Sequence, residues 1–140
     1  MTQEITALDT QLDRLVAMAA PALVAVKGVG TETAAVLLVA AGDNPERLRS
    51  EAAFAHLCGV APIPAASGKT TRHRLNRGGN REANWAFYLI AVGRMAWHRP
   101  TRVYVQRRTE QGKTTAEIIR CLKRYIAREL YGILVSRPAA

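Results

Sequence analysis

The residues best suited to chemistry lie in one polar segment, residues 59–81, GVAPIPAASGKTTRHRLNRGGNR. Ser67 is followed by Gly68, so the backbone can turn sharply and present the serine hydroxyl. A serine acts as a nucleophile when a base or metal takes its proton and cations hold the developing charge. The segment supplies cations and no acidic residue: Lys69, Arg72, Arg74, Arg77 and Arg81. This arrangement predicts a site for a phosphodiester backbone.

The serine and the cations of this segment can also be interpreted without catalysis. A serine in a loop is more often only a loop residue, and His73, a possible base, has no neighbouring carboxylate in the sequence to orient it. The phosphate clamp is better supported because the charge is uneven. Residues 69–108 carry ten Lys or Arg against Glu82 alone, whereas residues 1–68 carry four against seven Asp or Glu. The formal net charge of +9 predicts a polyanionic partner.

Composition excludes several other classes of protein. A chain of 140 residues with 49% hydrophobic and 22% charged residues predicts one folded domain rather than a disordered tail. No leader peptide and no apolar run of membrane-spanning length is found, so we expect a soluble, cytoplasmic protein. Cys58 and Cys121 have no Cys or His at metal-ligand spacing and predict reduced thiols. The acidic residues form no metal-binding group, so no metal site is predicted.

The elements that must hold the segment are predicted to be helices. Thr2 is a possible cap for a first helix that runs to about Ala20. Apolar residues recur along it at three- and four-residue spacing: Ile5, Leu8, Leu12 and Leu15. This narrow seam is typical either of the end of a coiled coil or of a plain packing helix.

A second feature, residues 22–41, fits a helix-hairpin-helix pattern. Gly28-Val29-Gly30 forms a tight turn between a short helix at 22–26 and a longer helix at 33–41, with Thr31 as the expected cap. Backbone amides at the start of a helix lack partners and can hold a DNA phosphate, which makes Gly28 and Gly30 candidate nucleic-acid contacts. A hairpin used only for packing remains open.

The remaining helices follow the polar segment. Asn80 is predicted to cap a central helix that ends near His98, and its aromatic stripe is interpreted as core rather than as a base-stacking surface. Residues 101–111 form the next helix, and Thr115 caps the last. The residues expected to be most buried are Trp85, Leu89, Val92, Leu122 and Ile126. In the 101–111 helix, the outward residues are predicted to be Arg102, Arg107 and Arg108, and the inward ones Val103 and Tyr104.

The predicted fold class is therefore mainly α. It is a helical bundle that contains a helix-hairpin-helix motif, with a basic loop or small β-hairpin inserted before the central helix. Only residues 69–75, with two Thr and spaced Arg, have the pattern of a strand.

Three stretches occur in the order of a known family: VKGVGTETAAVLL, then AFAHLCGVAPIPAASGKTTRHRLNRGGNREANWAFYLIA, then EQGKTTAEIIRCLKRYIARELY. They resemble the C-terminal transposase domain of insertion-sequence family one-ten, grouped with one-sixteen and nine-oh-two. The resemblance covers roughly residues 20–135. Its most specific part is G-x-x-P followed by S-G, a basic strand, and a G-N step into a helix. The family more often has Lys before the Gly of that step, where this chain has Arg77.

The resemblance implies a transposase that joins a serine covalently to DNA, with Ser67 as that serine. The residues that fall on the family's basic strand and G-N step are Arg72, Arg74, Arg77, Gly79, Asn80 and Arg81. Of these, the four arginines and Asn80 are the implied nucleic-acid contacts, and Lys69 is a further candidate because of its charge. The implied partners are DNA, as element ends and target, and a structured guide RNA, with a homo-oligomer in the full-length protein.

Family members also carry a RuvC-like domain with four metal-binding acids, for which Mg²⁺ is expected, and this sequence lacks it. Residues 1–20 would then be the end of a connecting coiled-coil helix, and residues 21–140 the C-terminal transposase domain with its active-site loop at 59–81. We expect this chain to bind no cofactor itself and not to cleave DNA unaided.

Two interpretations from other classes remain open. A non-catalytic module would bind duplex DNA or structured RNA by charge and shape through the helix-hairpin-helix motif and the basic loop. A purely structural interaction domain would need only the helical core.

Overall fold

The computed structural model of the protein describes residues 2–61 and 80–136. Within these ranges the chain forms helices and no strand, which confirms the mainly α class; the possible hairpin at residues 69–75 lies outside them. The helices are α1 (Thr2–Ala19), α2 (Pro21–Val24), α3 (Thr31–Asp43), a 3-10 helix (Pro45–Leu48), α4 (Glu51–Leu57), α5 (Arg81–Trp97), α6 (Arg99–Glu110) and α7 (Thr115–Ser136).

Helix α1 packs by one end of its apolar seam only. Val16 is buried and Leu12 half-buried against the core, where α1 meets α2 and α3. The seam residues nearer the N-terminus are exposed, Ile5 by 59% and Leu8 by 64%. The predicted amphipathic helix is thus present, but the described residues cover little of its apolar side.

Helix α5 is the centre of the fold, because it packs against α3, α6 and α7. Its buried side begins with small or apolar residues, Ala83, Ala86, Phe87, Ile90 and Ala91, and ends with Arg94. The expectation that Trp85, Leu89 and Val92 lie in the core is wrong, since their side chains are 58%, 43% and 38% exposed. The alanines let neighbouring helices approach closely, and this fixes which of the two apolar faces of α5 is buried.

Helix α7 is buried along the face that its periodicity predicts. Ile118, Leu122, Ile126, Leu130 and Leu134 face the core, which confirms the expectation for Leu122 and Ile126. The core continues into α4 through ring contacts. The ring centroid of Phe54 lies 6.2 Å from that of Phe87 and 5.8 Å from that of Tyr131. The Tyr131 hydroxyl donates to the Leu48 carbonyl over 2.9 Å, so α7 also holds the 3-10 helix.

The predicted cap Asn80 is confirmed, whereas the caps of the third and the last helix lie one residue earlier than predicted. At the start of α4, Ser50 accepts from the Ala53 amide over 3.1 Å. At α7 the cap is Thr114, one residue before the predicted Thr115, because its hydroxyl accepts from the Glu117 amide over 3.2 Å. The Glu117 carboxylate in turn accepts from the Thr114 amide over 2.9 Å, which completes a capping box.

Two smaller expectations are corrected. On α6, Val103 is 54% exposed rather than inward, while Tyr104 is half-buried and packs against the core. The third helix begins at Thr31, with Gly30 in the cap position.

Cys58 is buried and Cys121 half-buried, and no disulfide joins these two described residues.

Candidate nucleic-acid interface

The polar segment leaves the described part of the fold from a well-formed helix end. Gly59 follows α4 with a left-handed φ of 69°, the conformation that glycine adopts most easily. The Gly59 amide donates to the His56 carbonyl over 3.1 Å, and the Val60 amide to the Ala55 carbonyl over 2.9 Å. These two bonds form a Schellman motif, and Val60 is buried beneath it. The direction in which the chain leaves α4 is therefore fixed.

The chain returns at Asn80, beside the point where it left. The Asn80 amide donates to the Leu57 carbonyl over 2.6 Å, and its side chain accepts from the Ala83 amide over 2.8 Å, which is the cap predicted for α5. One turn later, Asn84 Nδ2 donates to the carbonyls of Cys58 (3.1 Å) and Gly59 (2.9 Å). We call residues 57–61 and 80–84 the segment base.

A lysine of α7 completes the segment base. Lys123 Nζ donates to Asn84 Oδ1 over 3.0 Å. Burial, followed by the nearby charge of Arg120, lowers the pKa of Lys123 below its ordinary value. The segment base therefore has two neighbouring cations of α7 beside it, Lys123 and Arg120.

A depression of about 280 Å³ opens between α4 and α7 next to the segment base. Ala61, the last described residue before the segment, lines it together with His56, Arg124 and Arg128. Arg128 is engaged by Glu51, with 2.9 Å between Nε and Oε1. Arg124 is exposed, and Arg120 and Arg128 lie one helical turn before and after it. Helix α7 therefore carries three arginines at four-residue spacing on the side of this depression.

The connection between α2 and α3, residues 25–30 and called the hairpin below, contacts a buried arginine of α5. Arg94 of α5 is 8% exposed, and its Nε donates to the Lys27 carbonyl over 2.6 Å. Its Nη1 lies 3.2 Å from Glu129 Oε1. Gly28 has a left-handed φ of 88°, and a Cβ there would lie 3.2 Å from Arg94 Cγ. The left-handed backbone favours glycine here, and a Cβ would also require a small shift of the arginine side chain.

The other candidate glycine has a different environment. The Gly30 amide donates to Thr33 Oγ1 over 3.0 Å, so this N–H already has a partner. The next amides, in the first turn of α3, are of the kind that helices leave without intrahelical partners. Glu32 is exposed in the same turn and opposes an anion there.

The arginines of α6 differ from one another. Arg102 and Arg107 are exposed as predicted, whereas Arg108 is half-buried. The guanidinium groups of Arg107 and Arg108 lie 5.5 Å and 6.0 Å from the centre of the Tyr104 ring. Arg108 Nη1 also donates to Gln111 over 2.8 Å. The sequence also predicts that some of these arginines form one continuous positive face with Arg72, Arg74, Arg77 and Arg81, and this stays a prediction.

Of the residues predicted from sequence to act on nucleic acid, the fold brings Asn80 and Arg81 to the segment base, and Gly28 and Gly30 to the hairpin. Five others lie outside the described residues: Ser67, Lys69, Arg72, Arg74 and Arg77. Sequence reasoning missed Asn84, Lys123 and Arg124. The four-residue spacing of the cations in α7 could have indicated Arg124. No sequence pattern indicates that the Asn84 side chain binds two carbonyls.

Residues 2–61 and 80–136 contain no grouping of three or more His, Cys, Asp or Glu side chains that could hold a metal ion. None of the described helices combines the length and apolar character needed to cross a bilayer.

Comparison with known proteins agrees with the resemblance seen in the sequence. The family model described as Transposase IS116/IS110/IS902 family matches residues 20–106. The chain is similar to an insertion element IS110 uncharacterized 43.6 kDa protein of Streptomyces coelicolor, at 34% identity over 131 residues. That alignment covers 91% of this chain and 32% of the relative, so the chain spans about a third of the relative's length. No solved structure matches. The chain belongs to the IS116/IS110/IS902 family of transposases.

Proposed function

We propose that this chain is the DNA-binding, serine-bearing part of an insertion-sequence transposase that acts in transposition or recombination. The observation that carries the proposal is the segment base. The ends of the segment that contains Ser67 are fixed side by side by Asn80 and Asn84, and Lys123 lies against them. A scaffold that holds both ends of a basic segment is what positioned chemistry on a phosphodiester needs.

In the proposed reaction Ser67 Oγ attacks a DNA phosphorus. A bond forms between Oγ and phosphorus, and the bond from phosphorus to one deoxyribose oxygen breaks. The serine proton passes to a base, and the departing deoxyribose oxygen accepts a proton. The product is a phosphoserine diester that keeps the energy of the original linkage, so a second DNA hydroxyl can reverse the exchange.

The cations of the segment bind and orient the phosphate in this scheme. Lys69, Arg72, Arg74 and Arg77 follow Ser67 closely in the chain, and Arg81 lies at the segment base. Guanidinium groups bind phosphate in a bidentate way and stabilise the charge that develops on its oxygens. No step is assigned to a metal held by the described residues, because they offer no such site.

The hairpin at Gly28 and Gly30 would add a second phosphate contact, as a helix-hairpin-helix motif does. Its support is the left-handed Gly28 and the N-terminus of α3 behind it. The RuvC-like domain with Mg²⁺, the guide RNA and the homo-oligomer belong to the same proposal, because the chain spans about a third of its relative.

The experiment is a test for a covalent adduct. The chain is mixed with end-labelled DNA, Mg²⁺ and a RuvC-like domain from a family member, and labelled protein is sought after denaturation. Ser67→Ala is expected to abolish the adduct while binding of the same DNA changes by less than about three-fold, since a neutral hydroxyl contributes little beside charged contacts. Ser136→Ala is the matched control and should form the adduct normally.

An adduct that survives Ser67→Ala would reject this serine as the nucleophile, and Thr70 and Thr71 would be tested next. Binding of DNA without an adduct under any of these conditions would favour the non-catalytic nucleic-acid-binding module.

A further inference from the structure

Helix α5 has an apolar face that the described residues leave uncovered. Trp85 is 58% exposed, Leu89 43% and Val92 38%, and Tyr88 is half-buried beside them. These four residues, here called the α5 aromatic face, recur at three- and four-residue spacing and so share one side of the helix. The rings of Trp85 and Tyr88 are stacked, with centroids 4.9 Å apart and planes at 15°. Tyr88 thus supports one side of the indole while the other remains accessible.

Cations lie at both ends of the α5 aromatic face. Arg81 is exposed one turn before Trp85. At the other end, Met95 lies one turn beyond Val92 and enters an open cleft of about 540 Å³ between α5 and α6. The residues that line this cleft are Met95, Arg99, Arg102, Val103, Val105 and Gln106. The arrangement is an aromatic surface between basic ends, with Glu82 the acidic residue of the first turn.

A second copy of the chain fits this surface poorly. With fractional exposures of 58%, 43% and 38% for its three most exposed members, the face offers on the order of 300 Å² of side chain. A stable protein–protein interface needs roughly 800 Å² from each partner. Pairing two copies along α5 would also bring Arg81 near either its own counterpart or Arg99 and Arg102. Like charges placed opposite one another oppose such an association.

Unpaired DNA fits the same surface well. Bases that are not paired expose flat faces that stack on aromatic side chains, and their phosphates bind nearby cations. In a duplex those base faces are hidden, so this surface selects single strands. Leu89 and Val92 offer no hydrogen-bonding group to a 2′-hydroxyl, whose burial there would be unfavourable, and this favours deoxyribose over ribose.

We propose that the α5 aromatic face binds unpaired DNA, with a base stacked on Trp85 and phosphates held by Arg81 and Arg102. The inference rests on the proposed function for DNA as the ligand, and it adds a single-stranded subsite to it. Strand exchange requires bases to leave the duplex, and such a surface would hold them while they are unpaired.

The test compares single-stranded and duplex DNA of about 15 nucleotides, the upper range for one single-strand-binding module. Trp85→Ala is expected to weaken single-strand binding about 5- to 150-fold, the loss that corresponds to one stacked base. Duplex binding should change less than about two-fold. Trp97→Ala removes the second of the chain's two tryptophans, which is 53% exposed, and should change neither affinity.

Two further measurements address the mechanism directly. In a Trp97→Phe background Trp85 is the sole tryptophan, so its fluorescence should be quenched when single-stranded DNA binds. Arg102→Ala should reduce the log–log salt slope of single-strand binding by about 0.7. Because Trp85 is exposed, its variants should retain the thermal unfolding curve of the parent chain.

The contrary results distinguish failure of this inference from failure of the proposed function. Duplex binding with no Trp85-dependent binding of single strands would overturn this inference and leave the proposed function standing. Absence of duplex and single-strand binding would overturn both. Equal Trp85-dependent binding of RNA of the same sequence would reject the preference for DNA. Concentration-dependent dimerisation that Trp85→Ala abolishes would identify a second copy as the occupant instead.

Discussion

Replacing Arg94 by alanine should test whether the hairpin is held in place from α5. The guanidinium donates to the Lys27 carbonyl over 2.6 Å and lies 3.2 Å from Glu129. Its side chain is 10% exposed, whereas that of Glu129 is 45% exposed. The bond to Lys27 is therefore the shielded one, and the ion pair with Glu129 is largely open to solvent.

The expected loss follows from these environments. A hydrogen bond from a charged group contributes about 1.5–3 kcal/mol, and a half-exposed ion pair about 0–1 kcal/mol. Loss of the packed stem beneath Gly28 adds about 1 kcal/mol. Arg94→Ala should thus reduce the free energy of unfolding by about 2.5–5 kcal/mol. At about 3–4 °C for each kcal/mol in a domain of this size, the melting temperature should fall by about 8–20 °C.

The assay is urea denaturation followed by circular dichroism, for which a single domain is expected to be two-state. Glu129→Gln removes the ion pair alone and should cost less than about 1 kcal/mol. Arg94→Met keeps an aliphatic side chain beneath the hairpin but leaves the Lys27 carbonyl without its donor. The resulting loss in free energy of unfolding should therefore lie between those of Glu129→Gln and Arg94→Ala. If Arg94→Ala costs no more than Glu129→Gln, the contact with Lys27 does not support the hairpin and the reasoning is refuted.

Three further variants can be measured in the same way. Gly28→Ala should lower the free energy of unfolding by about 1–2 kcal/mol because of the left-handed backbone, with a further loss from repacking against Arg94. Gly112 has a similar φ of 87° but no atom within 4 Å of a Cβ, so Gly112→Ala should show the backbone effect alone. Asn84→Ala should lose about 1–3 kcal/mol and speed limited proteolysis within residues 59–81, because both carbonyls at the segment base lose a donor. The pKa of Glu117 is lowered, chiefly because its carboxylate accepts from the Thr114 amide. Glu117→Gln should therefore destabilise the fold above the ordinary pKa of about 4.5, and this effect should vanish as the pH falls further. A difference in melting temperature that does not depend on pH would contradict this.

Much of the helical framework could be predicted because its determinants are local. Ser50 and Asn80 cap α4 and α5 as their side chains suggest, and Gly59 ends α4. The apolar repeat of α7 predicts the burial of Leu122 and Ile126, since only one face of that helix is apolar. Local hydrogen bonding and a single amphipathic face leave few alternatives.

Sequence reasoning failed where two faces of one helix compete. Helix α5 carries large apolar residues such as Trp85 on one side and Phe87 with several alanines on the other, and the periodicity favours the larger set. Close packing against α3 and α7 selects the side with the alanines. The burial of Arg94 was equally unpredictable, because the carbonyl that receives its hydrogen bond belongs to Lys27, 67 residues earlier.

Helix α5 also sets the distance between the two proposed phosphate sites. Asn84 holds the segment base and Arg94 holds the hairpin, ten residues further along the same rigid helix, which corresponds to about 15 Å. Phosphates of one DNA strand advance 3.4 Å along the duplex axis for each nucleotide. For a duplex that lies parallel to α5, contacts from the two sites to one strand should therefore lie about four to five nucleotides apart. Methylphosphonate substitution at each position should therefore reveal two separated groups of sensitive phosphates, and Gly28→Ala should weaken the effect at only one group. A single continuous group would show that the hairpin and the segment base do not contact the same strand.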